Sequence, residues 1–148
     1  MVSDHDNNEP MSPEETQQSL LDHAAAAALR ARDALGGPLN EKNLAQFLDG
    51  KEGLRYPTAI EFEETSLESH QFAHPVFTEE EGQRRCVLQL RPKYAAHPST
   101  HPLIVAYMAA AINYGFVADS ALCERYGGTI MDMTEDAFYA AVCAIADM

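Results

Sequence analysis

Two stretches decide the fold class: Thr58-Ala59-Ile60-Glu61-Phe62-Glu63 and Arg84-Arg85-Cys86-Val87-Leu88-Gln89-Leu90-Arg91. In the first, Ile60 and Phe62 alternate with Ala59, Glu61 and Glu63. In the second, Cys86, Leu88 and Leu90 alternate with Arg85, Val87, Gln89 and Arg91. A period of two with one charged face marks a strand covered on one side only. Between them, residues 72–77 read as a third strand. Pro75 places it at an edge or a bulge, because proline donates nothing to a ladder. Glu79-Glu80-Glu81-Gly82 reads as a solvated hairpin turn. The expectation is a three-stranded, mostly antiparallel sheet over about 58–63, 72–77 and 84–91. Glu61 and Glu63 are placed to face Arg85 and Arg91 across strands, a weak pairing that helps to set register.

On either side of this segment the period becomes helical. Ser12-Pro13-Glu14-Glu15 is a capping box with proline at the first helical position. It opens a helix that stops at Gly36-Gly37-Pro38. Its apolar stripe is Leu21, Ala24, Ala28, Ala31 and Leu35, small residues that let another element approach closely. A short helix follows, with Asn40 as N-cap, Leu39 and Leu44 as a hydrophobic staple, and Asp49-Gly50 as its end. After the strands come three more helices. One runs from Ser99-Thr100-His101-Pro102 to Tyr114, one from Asp119 or Ser120 to Tyr126, and one from Thr134 to the C-terminus. Gly127-Gly128 reads as a helix end, and residues 129–133 as a short strand or loop. The order gives an α+β domain over residues 12–148, preceded by a loose acidic tail over 1–11.

Two of these helices, Leu103 to Ile112 and Ala137 to Ala146, are apolar on almost every face. Such a helix must be buried on every face. A chain of 148 residues hides one such helix centrally more readily than two. The excess predicts a two-fold homodimer. The longest apolar run, Leu103 to Ile112, is ten residues, well short of the roughly 20 that a spanning helix needs. Met1 to Pro10 has no basic and apolar leader pattern, and the three cysteines, Cys86, Cys123 and Cys143, form no Cys-x-x-Cys. The expectation is a cytoplasmic protein whose thiols are small core residues.

Charge excludes more partners than it suggests. With 23 acidic and 10 basic residues the formal net charge is -13, which disfavours nucleic acid and anionic membrane surfaces. The charge is uneven. Residues 58–81 hold seven acids and no Lys or Arg, whereas residues 82–114 hold Arg84, Arg85, Arg91 and Lys93 and no acid. That basic stretch ends at a helix start beside His97, Ser99, Thr100 and His101, so Arg91, Lys93, His97, Ser99, Thr100 and His101 are candidate ligands for an anion. The bland alternative is that the cations neutralise the adjacent acidic strands and Ser99 or Thr100 caps the helix. His70-x-x-x-His74 and His97-x-x-x-His101 have the spacing of helical metal pairs, yet His74, His97 and His101 each precede proline. A metal set of His74, His97 and His101, completed by Glu68 or Cys86, would have to assemble across strand and helix.

No Gly-x-Ser-x-Gly, phosphate loop or dinucleotide fingerprint occurs in the sequence, and no cofactor is expected. Size, acidity and strands set between helices make the chain similar in architecture to small secretion chaperones, without a shared motif. The leading expectation is a non-catalytic adaptor, chaperone-like or regulatory protein that acts as a dimer and takes a protein partner. The alternative is a small-molecule anion- or metal-binding protein, possible enzymes included, built on the cluster near residue 100.

Overall fold

A computed structural model describes residues 10–148. The expected acidic tail lies outside the described residues except for Pro10 and Met11, which are exposed. The fold is α+β. Helices α1 (Pro13–Leu35) and α2 (Leu44–Leu48) precede strands β1 (Thr58–Phe62), β2 (Ala73–Glu80) and β3 (Gln83–Leu90). Two 3-10 turns, Pro92–Ala96 and Pro98–Thr100, lead into α3 (His101–Tyr114), followed by α4 (Ser120–Ile130) and α5 (Glu135–Ala146).

The capping box forms as expected: Ser12 Oγ accepts from the Glu15 N–H at 3.1 Å, and Glu15 Oε1 accepts from the Ser12 N–H at 3.0 Å. Helix α1 ends at Gly36, whose φ of 83° is cheap only for glycine. Ala24, Ala28 and Ala31 are completely buried, so their short side chains bring α1 close against α4. The second helix starts later than expected. Asn40 Oδ1 accepts from the N–H groups of Lys42 and Asn43, so it organises a turn that precedes Leu44 instead of capping the helix itself.

The sheet order is β1-β3-β2, with β2 antiparallel and β1 parallel to the central β3. Sheet and strand positions follow the sequence reading, but the pairing is mixed and the hairpin is tighter. Glu79 and Glu80 pair with Arg84 and Gln83, leaving only Glu81 and Gly82 as the turn. Both have positive φ, 52° and 79°, as a two-residue hairpin turn compatible with strand twist requires. The parallel register also corrects the expected ion pairs. Glu61 lies opposite Gln89, Arg85 pairs with Glu80 at 3.5 Å, and Arg91 pairs with Glu64 at 3.1 Å. Cys86, Leu88 and Leu90 fill the inner face, as their alternation predicted.

Helix α3 is the centre of the molecule, with Ile104, Val105, Ala106, Ala109 and Ala110 fully buried. Helix α5 is different. It buries Phe138, Val142 and Ile145 but turns Ala137, Tyr139, Ala140 and Ala144 outward. Within the single chain α5 is therefore covered on one side only, which leaves outward the face that the expected dimer would cover. Its hydropathy comes largely from alanine, which costs little to expose because it carries little apolar area. Gly127-Gly128 is also no helix end, because α4 continues through it to Ile130. A Cβ on Gly127 would sit 2.2 Å from Cζ of Phe138, so glycine opens a notch in α4 that receives the ring from α5.

Candidate functional site

The residues singled out near position 100 do not form one open pocket. Arg91 follows β3, and its guanidinium is spent on the segment that carries the chain from β1 across the end of β3 to β2. Nε donates to Gln71 O at 2.8 Å, one terminal nitrogen donates to Glu68 O at 2.6 Å, and the other reaches Glu64 at 3.1 Å. Thr100 is buried, and its hydroxyl donates to His97 O at 2.7 Å. His101 Nε2 lies 2.8 Å from Tyr94 O, which makes that nitrogen the donor, and its ring lies against Phe62. Lys93 reaches the carbonyl oxygen of Met148 and lies over the Tyr94 ring. His97, between the two 3-10 turns, and Ser99, in the second, are exposed. His74 stands on β2 opposite Gln89, on the face away from Leu88 and Leu90. Among the described residues, no three His, Cys, Asp or Glu side chains gather as a metal set, so His74, His97 and His101 are not brought together.

A cleft of about 560 Å³ opens elsewhere, between the segment entering β2 and the facing surfaces of α3 and α4. Phe72, Ala73, Tyr107 and Met108 supply its apolar surface, and His70, Gln71, Asp119 and Ser120 supply polar groups. Local structure fixes each wall. Asp119 is the N-cap of α4, with Oδ1 accepting from the Leu122 N–H at 2.9 Å and Oδ2 from Gln17 Nε2 at 3.2 Å. Tyr107 is held from two sides, tilted against Phe72 at 5.8 Å and stacked with Phe138 at 6.4 Å. Phe138 in turn sits in the Gly127 notch, so the tight α4–α5 contact braces the cleft wall. Just before Ala118, which also lines the cleft, Phe116 is 100% exposed and Val117 is 43% exposed.

Comparison with known protein families, with curated proteins and with solved structures gives no match to this chain. The geometry alone carries the functional reading.

Electrostatics favours holding over chemistry. Burial, followed by the Asp119 and Glu124 carboxylates, pushes the Cys123 thiol up to about 11. A thiol that stays protonated is a poor nucleophile. Burial likewise raises the Tyr107 phenol, with Cys123 and Glu124 adding to the shift. Glu124 lies one helical turn beyond Ser120, on the same side of α4. Its carboxyl is raised above the ordinary range by partial burial first, then by Glu135, Asp119 and Asp136. The nearby guanidinium of Arg125 is paired with Glu135 at 3.2 Å. The cleft thus has an apolar wall and an acidic border.

None of its lining residues belongs to the anion or metal sets expected from sequence. Tyr107 and Met108 read as core residues because they lie inside a continuous apolar run. Only the pair Phe116-Val117, apolar between Gly115 and the Asp119 cap, carried a usable signal.

Proposed function

We propose that this chain is a small, non-catalytic interaction protein of the cytoplasm, a single α+β domain that acts as a dimer and docks a protein partner through the α3–α4 cleft. The observation that carries this reading is the full exposure of Phe116 beside the half-exposed Val117, next to a cleft with an aromatic wall. A water-exposed phenylalanine ring forgoes the stabilisation that burial gives, about 1.5–3 kcal/mol. Large exposed apolar side chains gathered at a concave site mark surfaces that another molecule covers. The outward alanines of α5 around Tyr139 support self-association, because small side chains let a second copy approach closely.

Phe116→Ser combined with Val117→Ser tests the docking face, with light scattering on both proteins reporting mass. Wild type is expected to form a dimer and to co-purify a specific protein that the double variant loses while its melting temperature stays unchanged. A purified chain that stays a 16.3 kDa monomer overturns the dimer, and companions that the double variant retains overturn the docking face.

A further inference from the structure

The interaction reading leaves the chemistry of the partner open, and the border of the cleft narrows it. Among the described residues no Lys or Arg side chain lines the cleft, although Arg91 donates to the backbone of the lining residue Gln71. Asp119 lines it directly, and Glu124 stands within electrostatic reach of both Asp119 and Tyr107. Glu135 and Asp136, in the first turn of α5, lie beyond the lining and only add to the negative field on Glu124. Asp119 on the lining and Glu124, one helical turn beyond the lining residue Ser120, thus mark this border, and Arg125 is paired with Glu135. Like charges held together at a partly covered surface repel, and that repulsion is relieved when a cation arrives. Phe72, Ala73, Tyr107 and Met108 give the cleft an apolar wall, beside the polar groups of His70, Gln71 and Ser120. A volume of about 560 Å³ is ample for one bulky side chain with part of its flanking backbone.

We propose that the occupant is a basic protein segment, one that seats an aliphatic or aromatic side chain in the cleft and lays flanking lysines or arginines against Asp119 and Glu124. The proposal rests on the docking reading above and adds the charge of the partner to it. The apolar anchor supplies most of the attraction, and the carboxylates supply selectivity and a faster encounter. An acidic segment with the same anchor meets repulsion at the border and is rejected.

The test uses three pools of fluorescent peptides, each with a fixed central Phe or Leu and with flanks drawn from Arg/Lys, Ser/Gly or Asp/Glu. Binding is read by anisotropy to the full chain, to Asp119→Asn/Glu124→Gln, and to Ala118→Trp, which fills the cleft. Asparagine caps helices as aspartate does, so the double variant keeps α4 intact, and thermal melts confirm the fold of every variant. The basic pool is expected to bind wild type about fivefold more tightly than the neutral pool, an advantage lost as NaCl rises and lost in the double variant. Ala118→Trp is expected to abolish binding of every pool. If Ala118→Trp abolishes binding but the pools bind alike, or the acidic pool binds best, the basic-segment proposal is overturned and the docking face stands. If no pool binds in a manner that Ala118→Trp removes, the docking face falls and the basic-segment proposal falls with it.

Discussion

The two polar neighbourhoods of the central helix differ in how far the fold has consumed their hydrogen-bonding groups. Around Arg91 and His101, donors and acceptors close on one another within the chain: Arg91 on Gln71, Glu68 and Glu64, His101 on Tyr94, and Thr100 on His97. Around the cleft, Asp119 is also engaged, by Leu122 and Gln17, but Phe116 faces solvent and the Glu124 carboxyl feels mainly other carboxylates. A cluster of cations and histidines in the sequence became a structural clasp, whereas a run of ordinary apolar residues became the open surface. Composition marks where charge is concentrated. Geometry decides whether the fold has already used it.

The sharpest way to break this comparison is to look for chemistry in the cleft. With its thiol pushed from the ordinary 9.0 up to about 11, Cys123 should hold a thiolate fraction about 100-fold below that of a free cysteine near neutral pH. Alkylation followed by peptide mapping should find Cys143 modified first and Cys123 last, together with Cys86, whose burial has the same effect. Rapid labelling of Cys123 would make the cleft a reactive site and undo the contrast. Next in size is Arg91→Ala, which should lower unfolding free energy by about 2 kcal/mol, because it removes charged hydrogen bonds to two backbone carbonyls. Denaturant titration reads the loss. A variant that kept full stability would show that Arg91 is no clasp.

The smallest effect belongs to Glu124→Gln. A carboxyl whose pKa is raised on folding binds protons more readily in the native state, so its ionisation weakens the fold as pH rises from 4.5 through the raised value. The sign at neutral pH is therefore stabilising for glutamine, by about 1–2 °C in melting temperature, with the difference vanishing below pH ~4. Parallel melts across that range would detect it. A destabilised variant at pH 7 would mean that Glu124 is compensated within the chain.

Much of the fold was legible because local signals and burial agreed. Ser12 and Glu15 form the reciprocal cap that their spacing encodes, and Cys86, Leu88 and Leu90 point inward as their alternation requires. The errors came where long-range contacts outweighed local preference. Gly127 looks like punctuation until Phe138, eleven positions later, is seen against it. The parallel pairing of β1 is equally invisible, since alternation fixes the face of a strand and not its neighbour. Less of the site was legible. Tyr107 reads as core from its apolar run and Phe72 as the start of an edge strand, and together they form a cleft wall beside α4.

The strand order has one more consequence, for the sequence of events during assembly. Among the described residues, β3 is the one sheet partner of β1 and of β2, and it follows both in the chain. While the chain emerges from its N-terminus, β1 must wait unpaired through the whole of the crossing segment and β2. The two-residue turn at Glu81 and Gly82 joins β2 to β3 locally, on the timescale of about 1–10 µs typical of hairpins. The seam between β1 and β3 closes across a longer loop, which carries a larger entropic cost. Arg91 is the first residue after β3, so the clasp that holds the crossing segment arrives just after the strand that completes the sheet.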